Sequence, residues 1–319
     1  MVCKRTDGCA TPRILFTGRD CPFSAMVLKR LVEAQCTVCV VRLGGSAPSA
    51  NGGLAMFGHL PSLPIVQPHT ASGLCARWGI PLRYVDKSEM GAIGSALREF
   101  QAEIIVAACF PYLFPPSILR LPKLGGINVH PSLLPAYRGP APLFWQFRSG
   151  ERHGGISVHV MTEQVDAGNI IAQQHMLLPA GISDAVAGLR LADLGGQMVC
   201  AVMRDFRRGA VSTIPQQEHK STYHPWPQRR DFCVSLGWSA ERAFRFIRGT
   251  AGWGQPHQIV VGQRSYWIQR ALGFEPTGVL ESPSLWRDGE FWLQCIPGVL
   301  RVIPMRTSME KLGRVFLPS

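Results

Sequence analysis

Acidic side chains are scarce in this sequence: 21 Asp and Glu stand against 33 Lys and Arg. The balance leaves a net charge of +12 and an isoelectric point near 9.6. Such a balance suits polyanionic partners, among them nucleic acid, nucleotides, polyglutamylated cofactors and anionic membranes, without choosing one. Charge of either sign is sparse, at 17%, while hydrophobic residues reach 46%, a composition that builds buried cores and excludes general disorder. Long apolar runs are missing as well. No stretch approaches the roughly 18 residues that a membrane span needs. Lys4, Arg5 and Arg13 have no apolar segment behind them, so a secretory leader is not expected and a cytoplasmic location is.

Several chemical signatures are also absent. No Gly-x-Gly-x-x-Gly follows the first expected strand, and there is no nucleophile elbow, phosphate loop or zinc pattern. Ten cysteines run from Cys3 to Cys295 without the spacing of a disulfide framework. The one C-x-x-C pair, Cys36 and Cys39, sits in the apolar run Cys36–Val41. That run reads as a buried strand with the two thiols on opposite faces. His130 and His159 lack metal-like partners at helical spacing, so no metal is expected.

What is present reads as two folded units in 319 residues. A strand at Arg13–Thr17, an apolar helical period over Phe23–Glu33 and a strand at Thr37–Val41 make a βαβ opening, which implies a parallel sheet. Gly44–Pro68 interrupts this pattern as a long, almost uncharged loop rich in Gly, Ser and Pro. The pattern resumes with helices at Ala71–Trp78 and Ser88–Phe100 and strands at Leu82–Val85, Ile104–Ala108 and Gly126–His130. Strands at Gly155–Met161 and Asn169–Met176 and a long helix at Ser183–Phe206 close the first unit at 207. Residues 208–238 read as a linker. Residues 239–319 open with a helix capped by Ser239 and continue as short strands, the pattern of a small barrel or sandwich. Trp226, Trp238, Trp253 and Trp267 cluster in the C-terminal half, where packing in the core of a small barrel is expected ahead of stacking on bases or sugars.

The chemistry lies in Ile127-Asn-Val-His-Pro-Ser-Leu-Leu-Pro135 and in Val165-Asp-Ala-Gly168. Asn128 and His130, two apart on a strand, share one side of the sheet at its carboxyl edge, where open α/β sheets bind ligands. Asp166 lies in a tight turn that can face His130 across the sheet. An amide donor, a group that titrates near neutrality and an orienting carboxylate are the parts needed to stabilise an oxyanion and move a proton.

Asn128-Val-His130, Ser132-Leu-Leu-Pro135, Arg138-Gly139 and Asp166-Ala-Gly168, in this order and spacing, resemble the formyltransferase family over roughly residues 13–207. Thr222-Tyr and Trp238-Ser-Ala extend the likeness towards the C-terminus, in a layout similar to that of methionyl-tRNA formyltransferases. The resemblance implies an α/β fold with a Rossmann-like catalytic domain and a smaller OB-like β-barrel. It implies 10-formyltetrahydrofolate as donor, no metal, and a catalytic set of Asn128, His130 and Asp166. Asn128 would hold the formyl oxygen, His130 would move the proton and Asp166 would orient it. The pterin would lie along Ala108, Cys109, Phe110 and Tyr112 and beside Val165, flanked by the loop Ser132, Leu133, Leu134 and Pro135. Phe110 and Tyr112 suit core packing equally well.

Methionyl-tRNA is the acceptor this resemblance implies first. The family's tRNA enzymes carry a basic loop after the second strand, whereas Arg42–Pro68 holds one arginine and no lysine here. That departure keeps a small-molecule amine open: an amino sugar, amino acid or peptide. Positive charge gathers instead in residues 204–248, with nine Lys and Arg against four acids. Release of formate to water, a formyltetrahydrofolate hydrolase activity, and a non-catalytic RNA-binding role are the readings from other classes.

Overall fold

The computed structural model describes residues 11–43, 70–85 and 91–305. The Gly44–Pro68 loop and Ser88, expected as a helix cap, lie outside the described residues.

The first part of the chain alternates strands and helices. β1 (Ile14–Gly18), α1 (Pro22–Glu33) and β2 (Val38–Leu43) form the expected opening. They are followed by α2 (Ala71–Trp78), β3 (Leu82–Val85), α3 (Gly91–Phe100), β4 (Ile104–Ala108) and α4 (Pro116–Leu119). Next come β5 (Gly126–His130), α5 (Pro142–Ser149), β6 (His153–Val160), β7 (Ile170–Leu177) and α6 (Asp184–Arg208). The seven strands pair in the order β3-β2-β1-β4-β5-β6-β7. The first five are parallel, and β6 and β7 add an antiparallel edge.

Every residue of β1 and of β4 is buried, as a central strand covered on both faces requires. Ile14 and Phe16 face a core shared with α1 and α6, while Leu15 faces a second cluster with Ile93, Ala96 and Leu97 of α3. Helix ends follow local chemistry. Thr70 accepts the Gly73 N–H at 3.1 Å to start α2, and Ser183 accepts the Val186 N–H at 3.3 Å to start α6. Gly79 and Gly209, at φ of 63° and 66°, end the same two helices.

Among the described residues α6 is the one helix long and apolar enough to cross a membrane, and 56% of that window is buried. Its Gly195-Gly196 pair explains how it fits. A Cβ at Gly195 would lie 2.6 Å from Val129, and one at Gly196 would lie 2.7 Å from Arg30. The bare backbone therefore slots between α1 and the strand that carries Asn128 and His130.

The second sheet contains β8 (Cys233–Val234), then, after α7 (Ala240–Gly249), β9 (His257–Val261), β10 (Arg264–Glu275), β11 (Ser284–Arg287), β12 (Glu290–Gln294) and β13 (Val299–Pro304). Its order is β11-β12-β13-β10-β9-β8, antiparallel except where β8 joins β9. Phe144 of α5 packs on Phe232, Phe246 and Trp253 with ring centroids 5.0–5.4 Å apart. Through these rings the cores of the two sheets merge into one continuous cluster.

The intervening chain is not a loose tether. Ile214 pairs with Ile170 at the edge of the first sheet, and Tyr223 bridges to Arg138. Backbone bonds from Arg138 N to Thr222 O at 2.9 Å and from His224 N to Arg138 O at 3.0 Å hold this segment across the Arg138–Gly139 loop.

Candidate functional site

The carboxyl ends of β1, β4 and β5 open into a cleft of about 390 Å³. Its shape begins with a close approach between two strands. A Cβ at Gly18 would sit 2.1 Å from the Ala108 carbonyl oxygen, and Ser24 Oγ donates to that oxygen at 2.6 Å. Strand order changes direction beside β1 and β4, the place where such sheets bind ligands.

β5 presents Asn128 and His130 on one side, and the β5–β6 register places His159 directly opposite Asn128. The turn between β6 and β7 then returns Asp166, whose φ is +49°. Gly168 makes this turn possible, since a Cβ there would lie 1.9 Å from the Val160 carbonyl. The Gln216 side-chain amide donates to the backbone oxygens of Asp166 and Gly168 at 2.8 and 2.7 Å. Gln216 is held in turn by Arg138, which donates to Gln216 Oε1 at 2.8 Å and pairs with Glu218 at 2.6 Å.

These supports bring four polar side chains together. Asn128 Nδ2 lies 3.3 Å from Asp166 Oδ1 and 3.2 Å from His159 Nε2. The Gly139 N–H donates to Asp166 Oδ2 at 2.9 Å, and His130 Nδ1 stands 3.6 Å from the same oxygen. His130 Nε2 is 2.9 Å from the Tyr137 carbonyl, which only accepts, so Nε2 carries a hydrogen. His159 Nδ1 faces the Val160 carbonyl at 2.9 Å and by the same argument carries its hydrogen there. His159 Nε2 is then an acceptor for the Asn128 amide. A flipped Asn128 would point its oxygen at two acceptors, so the amide orientation is fixed.

Electrostatics divide the roles. Burial pushes His130 below the ordinary histidine value, against the upward pull of Asp166 and the Tyr137 carbonyl. Burial alone would raise Asp166. The neighbouring His130 and the Gly139 N–H more than offset it and hold the carboxyl well below the usual carboxylate range. The site therefore holds an ionised Asp166 beside a His130 that favours its neutral form. His130 Nδ1, beyond hydrogen-bond length from Asp166, is the nitrogen free to take a proton.

Of the residues expected at a pterin pocket, Cys109, Phe110, Tyr112 and Val165 line the cleft together with Asn128, His130 and Asp166. Phe110 stacks on Phe114 with centroids 4.4 Å apart. Ala108 and Ser132–Pro135 do not line it. They brace it from behind. Ser132 Oγ donates to the Ala136 carbonyl at 2.7 Å, Leu134 N donates to Ser157 Oγ at 3.1 Å, and Leu133 fills the space over Gly155. Sequence alone gives no role to Gln216 or Asp184 and weighs His159 only as a metal ligand. Period-two pairing of β6 with β5 is the signal that would have found His159. Asp184, Trp226 and Trp253 also line the cleft, and the two tryptophans lie beyond the first sheet, where sequence distance hides them.

The sequence profile of the formyl transferase family matches residues 70–203. Methionyl-tRNA formyltransferase of Staphylococcus aureus (strain JH1) is 29% identical over 241 residues, covering 76% of this chain and 73% of the relative. An N-formyltransferase from Helicobacter canadensis, solved with folinic acid and dTDP-3-aminofucose, superposes with a TM-score of 0.63 at 12% identity, covering 92% of this chain and 99% of that one. HypX from Aquifex aeolicus, solved with tetrahydrofolic acid, superposes with a TM-score of 0.56 at 16% identity, covering 92% of this chain. This chain spans less than half, 44%, of the HypX chain's length. At such identities the structures establish a shared fold. The profile match gives residues 70–203 a formyl transferase domain, and the aligned methionyl-tRNA formyltransferases are similar to this chain over 241 residues.

Proposed function

We propose that this protein transfers a formyl group from 10-formyltetrahydrofolate to a primary amine, and that Asn128, His130 and Asp166 carry the reaction. The observation that supports this most is the convergence of the three side chains, from β5 and the β6–β7 turn, in one cleft with an aromatic wall. Phe110, Tyr112, Cys109 and Val165 offer the flat, largely apolar surface that a pterin ring needs.

In this reading the neutral amine attacks the formyl carbon and the carbonyl becomes an oxyanion. Asn128, held by two long contacts of 3.2 and 3.3 Å, turns an N–H towards that oxygen. His130 Nδ1 takes the proton from the attacking nitrogen and returns it to N10 of the departing folate. The ionised Asp166 stabilises the imidazolium formed between those steps. Atoms balance as amine plus formyl donor giving formamide plus tetrahydrofolate, with no metal and no acyl-enzyme.

Methionyl-tRNA is the acceptor we favour. The relatives' name supports it, as do the net charge of +12 and the nine basic residues of 204–248 against four acids. The division we propose gives residues 1–207 the chemistry, 208–238 the bracing of the site and 239–319 the outer acceptor contacts. A second reading, transfer to a small amine, is motivated by the single arginine in Arg42–Pro68. The assay that separates them follows formyl transfer from 10-formyltetrahydrofolate to methionyl-tRNA, to amino sugars and amino acids, and with no acceptor. A kcat/KM for methionyl-tRNA at least tenfold above every free amine is expected. The reverse order gives the reaction to a small acceptor, and formate release without acceptor at the same rate makes the protein a hydrolase.

A further inference from the structure

Gln216 and the pair Thr222-Tyr223 lie on the segment that joins the two sheets, and from there they reach the catalytic pair. The segment is pinned where Ile214 and Ile170 exchange backbone hydrogen bonds of 2.8 and 2.9 Å. Just beyond, Gln216 Nε2 donates to the Asp166 and Gly168 carbonyl oxygens at 2.8 and 2.7 Å. Both carbonyls belong to the turn that holds Asp166 at a φ of +49°, a region uncommon outside glycine. One side-chain amide thus closes the turn that aims the Asp166 carboxylate at Asn128 and His130. Gln216 Oε1 accepts from Arg138 Nη2 at 2.8 Å and from Nε at 3.2 Å. The amide orientation is therefore fixed, with oxygen to the guanidinium and nitrogen to the carbonyls.

Thr222 acts on His130 from the other side. Its Oγ1 accepts the Tyr137 N–H at 2.8 Å, and its carbonyl accepts the Arg138 N–H at 2.9 Å. The trans peptide between Tyr137 and Arg138 is held at its N–H, so its carbonyl points the opposite way, to His130 Nε2 at 2.9 Å. Engaging Nε2–H in this bond leaves Nδ1 as the nitrogen that takes a proton.

We propose that Gln216 and Thr222 are positioning residues for formyl transfer, Gln216 setting the Asp166 carboxylate and Thr222 the His130 ring, so that one segment between the sheets fixes both halves of the acid–base pair. The proposal rests on the formyl-transfer reading and deepens it. A misplacement of about 1 Å can cost on the order of a hundredfold in rate, which gives leverage to a support that never touches the reacting atoms. Gln216 is half-buried and Thr222 exposed, so neither is a core residue whose replacement would unfold the chain.

Gln216→Glu separates positioning from simple bracing. Glutamate keeps the shape and still accepts from Arg138, but an ionised carboxylate donates nothing to the two carbonyls. The test measures kcat and KM across pH, with 10-formyltetrahydrofolate and the preferred acceptor, for wild type, Gln216→Glu, Gln216→Ala, Thr222→Val and Thr222→Ser. Tetrahydrofolate binding by calorimetry accompanies each variant. In both Gln216 variants kcat is expected to fall at least tenfold, with tetrahydrofolate affinity within threefold of wild type. Their acid limb of kcat/KM moves down, because His130, faced by Asp166, His159 and the Tyr137 carbonyl, loses part of the upward pull of Asp166. Thr222→Val loses at least fivefold in kcat, while Thr222→Ser, which keeps the hydroxyl, stays within twofold. Gln216→Glu with wild-type kcat and an unmoved limb, or Thr222→Val equal to wild type, overturns the proposal and leaves formyl transfer standing. So does a loss of tetrahydrofolate binding that matches the loss of rate, since that marks a structural role alone. Absence of transfer to any amine by wild type overturns both.

Discussion

Asp166 is held by more contacts than any other polar group in the cleft, and removing its charge has a signed consequence. Its carboxylate pulls the His130 pKa up against burial. In Asp166→Asn that pull is gone, so the acid limb of kcat/KM against pH, already below the ordinary histidine value, moves further down. The maximal rate falls by about a hundredfold or more, because the imidazolium loses its counter-charge. A limb that moves up, or a rate near wild type, contradicts the assignment. A second histidine governs stability instead. His257, 3% exposed and bonded to Thr250 Oγ1 at 2.8 Å, has its pKa lowered to about 4 by burial. Between its unfolded value near 6.5 and about 4 the unfolded chain binds a proton that the folded chain does not, so this group costs stability as pH falls through that window. Thermal melts of His257→Gln are expected to lose less stability between pH 6.5 and 4 than wild type does. At this scale the motif residues were legible because period two places Asn128 and His130 on one side of a strand. Asp184 and Trp253 were not, because a helix start and a turn about seventy residues apart carry no local pattern that joins them.

At the scale of elements, helix α6 shows how packing overrides propensity. Alanine is favoured over glycine inside a helix by roughly 1 kcal/mol. Gly195→Ala is nevertheless expected to destabilise, because its Cβ would lie 2.6 Å from Val129 and 3.2 Å from Ile156. Overpacking of this kind costs about 1–3 kcal/mol, and it pushes on the strand that holds Asn128 and His130. Chemical denaturation paired with turnover should show both falling, whereas a stabilised and fully active variant would contradict this packing account. Sequence periodicity marked α2, β3, β4 and β5 at the limits the structure has. It stopped short on β10, which runs Arg264–Glu275 where only short strands were expected. Register shifts near Ile268–Arg270 and Ala271–Gly273 break the alternation there. α5 was passed over because Pro142, at its first turn, ends the proline-rich loop as readily as it begins a helix.

At the scale of the whole molecule the two sheets share one core through Phe144, Phe232, Phe246 and Trp253. Near-UV and far-UV melts are expected to coincide. Phe144→Ala, which removes a fully buried ring at the junction, should cost about 3–5 kcal/mol and separate them. The same junction places Trp253 in the cleft, so the second sheet takes part in the site and is more than an appended module. The chain's basic excess was plain in its composition, but the contact between the parts is long-range and had no sequence signal. The central claim is that this cleft moves a formyl group by means of Asn128, His130 and Asp166. The measurement that tests it most directly follows labelled formyl from 10-formyltetrahydrofolate into methionyl-tRNA and free amines, with wild type and Asp166→Ala side by side and tetrahydrofolate binding as the check of folding. The account predicts labelled formamide with wild type and a loss of about a hundredfold or more in a folded Asp166→Ala. Label that reaches no amine, or an Asp166→Ala that turns over like wild type, would contradict it.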